Sequence, residues 1–225
     1  MSVLDHPVRA ALLGAHAPLA RRVGSAVAYA PEVATFCAPP DQPDADDWAD
    51  LARLLSPGAF ADLFSHPATP PDGWAPVFEL DGLQMVGPIS APRTPRPEGH
   101  VELGAADVPD MLALAAATRP GPFWAGTVRM GRYVGVRRDG VLLAMAGERL
   151  RPPGFTEVSA VCARPEARGQ GLATALVAEL VRGVATRGER AFLHVAADNP
   201  ALGVYERLGF TARREVRFHG WTTPA

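Results

Sequence analysis

The sequence predicts a mixed α/β protein, and three observations predict it. From His100 onward the apolar pattern switches between period two and period 3.6, in the order β-α-β-β-β-α-β-α-β. Asp139-Gly140 stands between two strand-like runs and reads as a tight hairpin turn. Leu172–Arg187 sets Leu172, Leu176, Val177, Leu180 and Val184 on one side of a helix.

A Pro-rich stretch, residues 87–99, divides the chain into an N-terminal lobe, 1–97, and a second unit, 98–225. Proline fixes φ and removes backbone donors, so the stretch reads as an extended linker. In the first part, Asp44–Leu55 has the acidic start and the Trp48, Leu51, Leu54, Leu55 face of a helix. The acidic run Asp41–Asp50 is accordingly a solvated helix start rather than a metal site. Trp74–Val86 reads as a hairpin about Asp81-Gly82. In the second part, strands are expected over His100–Leu103, Arg132–Arg138, Val141–Leu150, Phe155–Ala163, Ala191–Ala196 and Phe210–Phe218. Helices are expected over Ala106–Ala117, Leu172–Arg187 and Pro200–Leu208. The last of these has Asn199 as N-cap, Pro200 at its first position and Gly209 at its end.

Of 225 residues, 48% are hydrophobic and 20% charged, ordinary for a globular chain. The net charge is -2 and every strong cation is arginine, so no global basic field draws in nucleic acid or a membrane surface. No apolar run approaches the roughly 20 residues of a membrane span. The N-terminus lacks the basic-then-apolar pattern of a signal peptide. Cys37 and Cys162 stand far apart, without metal-ligand spacing. The expectation is a cytoplasmic monomer or homodimer with no metal and no nucleic-acid or membrane partner.

The junction Val161-Cys-Ala-Arg-Pro-Glu-Ala-Arg-Gly-Gln-Gly-Leu-Ala-Thr174 carries the chemistry. Gly169 and Gly171 permit positive φ and close backbone approach to a ligand. The helix that begins there offers unpaired N–H groups and a positive dipole end, with Arg168 beside them, so a pyrophosphate suits the site. The dinucleotide fingerprint fails because Thr174 stands at its third glycine, and a chain without lysine has no P-loop.

Arg168-x-x-Gly171-x-Ala173 resembles the Q/R-x-x-G-x-G/A signature of the Gcn5-related N-acetyltransferase (GNAT) superfamily. Asp198-Asn-Pro-Ala-Leu-Gly-Val-Tyr-Glu-Arg-Leu-Gly-Phe210 is similar to the family's second signature, an Asn before a helix that carries Tyr and ends in Leu-Gly-Phe. The resemblance covers roughly residues 100–220, and it makes residues 1–97 a candidate degenerate copy of the family's N-terminal half. It implies a central twisted mixed sheet flanked by helices, with acetyl-CoA as cosubstrate. The pantetheine arm would lie between two splayed strands, bonded to Val161, Cys162 and Ala163. The pyrophosphate would rest on Arg168, Gly169, Gln170, Gly171, Leu172, Ala173 and Thr174, and Asn199 would touch the arm. Family members usually have one more residue between that Asn and the Tyr.

The implied reaction is direct attack of a primary amine on the thioester, with Tyr205 as the acid that protonates the leaving thiolate. The base stays open among His194, Glu157, Glu148 and an ordered water. His194 has an ordinary pKa near neutrality, about 6.5. Cys162 reads as a buried strand residue rather than a nucleophile. The amine acceptor is not specified. The alternative is a non-catalytic acyl-CoA-binding or regulatory module. A chain starting near Pro97 is expected to keep the cofactor site.

Overall fold

The computed structural model describes residues 2–90, 92 and 94–225; Met1 and, within the Pro-rich stretch, Ala91 and Arg93 lie outside the described residues. In chain order the elements before that stretch are α1 (Pro7–Leu13), β1 (Ala20–Val23), β2 (Ala26–Tyr29), β3 (Cys37–Ala38), α2 (Ala45–Leu55), β4 (Phe60–Asp62) and β5 (Ala75–Val86). After it come β6 (His100–Leu103), α3 (Val108–Thr118), β7 (Tyr133–Arg138), β8 (Val141–Glu148) and β9 (Phe155–Ala163). The chain closes with α4 (Leu172–Thr186), β10 (Arg190–Ala196), α5 (Leu202–Arg207) and β11 (Thr211–Thr222). No described helix is long and apolar enough to cross a membrane.

Local chemistry explains the elements that frame the site. At α2, Asp44 accepts from the Asp47 N–H while Asp47 accepts from the Asp44 N–H, each at 3.0 Å, a reciprocal cap that satisfies two helix-end donors. Trp48, Leu51 and Leu54 face inward, and the Trp48 ring meets Trp74 edge-on at 5.5 Å. At α4 the apolar stripe buries Leu172, Leu176, Val177, Leu180, Val181 and Val184 against β7–β10. Glu179, on the same helix, is 3% exposed and held by Arg96 in a paired contact and by Arg132. Arg182 donates to the Pro92 carbonyl, so the described part of the Pro-rich stretch is strapped along α4.

β1–β3 form a small antiparallel sheet, while the other strands form one sheet in the order β4-β11-β5-β10-β9-β8-β7-β6. Every described pairing in that sheet is antiparallel except β9 with β10. The expected hairpin at Asp81-Gly82 is corrected here, because β5 runs straight through it as one strand of 12 residues. Gly82 provides space rather than a turn. A Cβ there would sit 2.3 Å from the Phe218 ring and 2.9 Å from the Val195 carbonyl. Residues 82–86 of β5 pair with β10, and its whole length pairs with β11.

A strand from before the Pro-rich stretch therefore lies between two strands from after it. A chain starting at Pro97 would expose the facing edges of β10 and β11 and uncover Phe192 and Phe210, both fully buried. We expect such a chain to lack a cooperative thermal transition. A sharp melt with native near-ultraviolet dichroism would refute this.

Candidate functional site

β9 and β10 pair only through Phe155–Arg190, Thr156–Ala191 and Glu157–Phe192, and beyond these pairs they part. On the β8 side of β9 the register slips between Met145–Cys162 and Gly147–Ser159, so two residues of β9 face the single Ala146. Ala160 sits in this bulge at φ 53°, a conformation an L-residue adopts at a cost of about 1–3 kcal/mol. The bulge bends β9 at the mouth of the wedge. It leaves the backbone of residues 158–163 without a strand on the β10 side.

The wedge leads to the glycine loop. Gly169 and Gly171 have φ of 75° and 73°, and a Cβ on either would meet nothing within 4 Å. The glycines are thus required by conformation and stand in open space. Gly171 precedes α4 without any side-chain cap, so the first-turn amides of Leu172, Ala173 and Thr174 are free for a ligand. Arg168 is exposed, its Nε 3.5 Å from the Ala163 carbonyl. Gln170 accepts from Arg138 and donates to the Glu166 carbonyl, which sets the outer rim of the loop. Val161 and Ala163 are half-buried on one face of β9, and Cys162 is buried on the other with Leu114 and Met145. Burial pushes the Cys162 thiol up to about 11, which suits an inert core residue.

Tyr205, on α5, is 8% exposed and packs edge-on against Phe210 at 6.0 Å. Burial, with the nearby Cys162 as a lesser cause, pushes its phenol up to about 12, so it holds its proton at neutral pH. Its hydroxyl makes no hydrogen bond among the described residues. Asn199 departs from its expected capping role. Its side chain accepts from the Ala201 N–H at 2.8 Å, a local turn, and α5 starts only at Leu202.

At the root of the wedge lies a buried polar chain. Glu157, 0% exposed, takes both Arg149 donors at 2.7 and 2.8 Å and the His194 Nδ1–H at 2.6 Å. The other His194 nitrogen lies 3.1 Å from the Gln84 side-chain nitrogen. Gln84 is oriented from two sides, since Arg213 donates to its oxygen and its nitrogen donates to the Leu4 carbonyl. His194 Nε2 must therefore accept, and His194 is neutral with its proton on Nδ1. Burial pushes the His194 pKa down, against the opposing pull of Glu157. Burial would raise Glu157, but the charge and hydrogen bonds of Arg149, with those of His194, outweigh it and hold the carboxyl at about 2. Phe36 and Phe64 lie over the Arg149 guanidinium at 5.0 and 4.7 Å.

This geometry argues against a proton-accepting role for either residue. The sequence brings Glu157 and His194 to the wedge as expected, yet their lone pairs are already committed. Glu148 is likewise enclosed, held by Arg187 at 2.9 Å. The reading from sequence missed Ala160, Arg149 and Gln84. A positive φ on alanine leaves no mark in a single sequence. Gln84 and His194 become partners only through strand pairing 110 residues apart. His100, Glu102 and Glu179 lie close enough to suggest a metal, but Arg96 and Arg132 occupy the carboxylate oxygens.

Comparison with known proteins agrees with this geometry. Residues 133–219 match the family model described as FR47-like protein. A crystal structure from Novosphingobium aromaticivorans DSM 12444, described as an acetyltransferase of the GNAT family, is 40% identical over all of both chains, with a TM-score of 0.90. A GCN5-related N-acetyltransferase from Kribbella flavida shares the fold at 21% identity, covering 99% of this chain and 96% of that one, with a TM-score of 0.65. No curated protein matches. Fold and relatives together define an acyltransferase. The chain belongs to the GNAT family.

Replacing Glu157 by Gln leaves Arg149 buried without its counter-charge, and we expect a loss of about 3–5 kcal/mol in denaturant unfolding. Because the folded pKa lies below the ordinary 4.5, the wild-type carboxylate's stabilisation is complete above that value. It fades as pH falls through 4.5 toward 2, and Glu157→Gln should lose this acid dependence. A loss under 1 kcal/mol would show that the pair is not a structural anchor.

Proposed function

We propose that the protein transfers the acetyl group of acetyl-CoA to a primary amine by direct attack on the thioester. The observation that carries this is the wedge between β9 and β10, lined on one side by the unpaired backbone of residues 158–163 and ending on the uncapped start of α4. Val161, Cys162 and Ala163 would hold the pantetheine arm as an added strand. Amides from Gly169 to Thr174, with Arg168, would take the pyrophosphate, and Asn199 would border the arm. Tyr205 would protonate the departing thiolate. Its position on α5, close to Cys162 of β9, and its retained proton both suit that task. Water would take the ammonium proton, leaving Glu157 and His194 to position the strands at the reacting centre. Residues 1–97 would form the acceptor side, since α1 and β1–β3 cover the sheet face that carries Phe192 and Leu150.

Acetyl-CoA at 100 times its dissociation constant should stabilise the fold by about 2.7 kcal/mol. That corresponds to roughly 2–4 °C in melting temperature for each kcal/mol. Gly171→Glu should abolish the shift, whereas Gly171→Ala, which strains the same φ without charge, should retain part of it. A shift produced by NAD or ATP and not by acetyl-CoA would overturn the assignment.

Tyr205→Phe deletes only the hydroxyl, so cofactor affinity should hold while turnover falls 10²–10⁴-fold, or about 3–5 kcal/mol of barrier. Free-thiol release with a working amine measures it under chemistry-limited conditions. The wild-type rate should rise with pH along the amine's own titration. Undiminished turnover in Tyr205→Phe removes the acid from the mechanism.

A further inference from the structure

Arg137 and Arg138, the last two residues of β7, are neighbours with opposite surroundings. Arg137 donates to Asp107 and Asp110, each at 2.7 Å, which anchors the end of β7 to the start of α3. Arg138 reaches the other way, to the glycine loop before α4, where its Nη1 donates to the Gln170 Oε1 at 2.9 Å. Among the described residues no carboxylate pairs with Arg138. Many other arginines in this part of the chain are tied to acids, as Arg132, Arg149 and Arg187 are.

The backbone fixes where Arg138 stands. It pairs with Val141 across a two-residue turn in which Asp139 and Gly140 both have positive φ, 49° and 78°. The twist of such a turn matches that of paired strands, so the hairpin ends stiffly beside the loop. Gln170 is held from two sides, since its nitrogen donates to the Glu166 carbonyl at 3.2 Å while its oxygen accepts from Arg138. Arg138 is exposed, and this contact uses one of its five guanidinium donors, leaving four free. A planar fork of that kind matches phosphate oxygens.

The loop also carries more positive charge than a pyrophosphate needs. Arg164 and Arg168 direct their Nε atoms to the Leu142 and Ala163 carbonyls, and among the described residues neither pairs with a carboxylate. The uncapped start of α4 and Arg168 already face the pyrophosphate position. Coenzyme A has one more anion, the 3′-phosphate on its ribose, a monoester that carries close to two charges at neutral pH.

We propose that Arg138 recognises the ribose 3′-phosphate of coenzyme A and makes the protein selective for the 3′-phosphorylated cofactor. The inference rests on the reading of the wedge as the acetyl-CoA site. Arg138 stands off the loop backbone by one glutamine side chain and one hydrogen bond, an offset that a ribose can span from its pyrophosphate. Gln170 is the positioning residue, because its side chain aims the Arg138 fork while its amide belongs to the glycine loop.

Calorimetric titration of the full chain with acetyl-CoA and with acetyl-dephospho-CoA, which lacks only the ribose phosphate, tests the proposal. The ribose phosphate should tighten binding about tenfold at roughly 50 mM salt. That preference should shrink at roughly 500 mM salt, where exposed charges are screened. It should also shrink below about pH 6, where the monoester loses a charge. Arg138→Gln should bring the two affinities together, and Arg138→Lys, which keeps the charge without the fork, should retain part of the difference. Arg168→Gln should weaken both ligands in parallel, because the pyrophosphate is common to them. Equal affinities in the wild type, a preference that survives Arg138→Gln, or one that vanishes in Arg168→Gln would overturn the proposal and leave acetyl-CoA binding standing. Failure of both ligands to bind would overturn it together with the acetyl-CoA assignment.

Discussion

A carboxylate with no solvent exposure must be matched inside the protein, and Glu157 is matched completely. Its partner Arg149 follows the end of β8, Glu157 lies on β9, His194 on β10 and Gln84 on β5, while Arg213 comes from β11. Arg213 in turn meets Asp5, and Gln84 donates to the Leu4 carbonyl at the N-terminus. One hydrogen-bonded chain thus crosses adjacent strands and ties the first residues to the sheet. The two strands that separate to form the wedge are pinned where they separate. A wedge needs a fixed root, and a charged network with one satisfied arrangement supplies it more specifically than apolar packing does.

The same network explains why the N-terminal and C-terminal parts behave as one body. β5 supplies both Gln84, at the root of the wedge, and the strand between β10 and β11. The aromatic rings of Phe36 and Phe64, from the first part, close over Arg149 of the second. Removing water from this region strengthens the ion pair and makes each unpaired atom costly. His194 and Glu157 lie at the root of the wedge and hold its strands together, because their protons and lone pairs are already assigned to Arg149, Gln84 and each other. In the proposed reaction the chemistry therefore falls to backbone amides at the wedge, the Tyr205 hydroxyl and solvent.

The second half of the chain was legible to within a few residues. Phe155–Ala163 is a strand with the expected bounds, and the hairpin at Asp139-Gly140 joins β7 to β8. These elements are read from local pattern, and each has a strong one: alternation, a turn dipeptide, or a 3.6-residue stripe. The first half was mostly illegible. α2 was readable because its acidic start and apolar face are both local, whereas β1–β3 are strands of two to four residues with little alternation. Asp81-Gly82 misled because a glycine that yields space to Phe218 looks the same in sequence as one that turns the chain.

The sequence by itself determined the glycine loop before α4, the Tyr205 helix and the order of strands around them, since each depends on neighbours within one turn or one hairpin. It also placed Glu157 and His194 on their strands. Only the tertiary structure decided what those two residues do. The Arg149 charge, the Gln84 orientation and the cover of Phe36 and Phe64 reach them from elements up to 158 positions away from His194. Protonation and access depend on that enclosure, which forms only when β5 enters the sheet between β10 and β11.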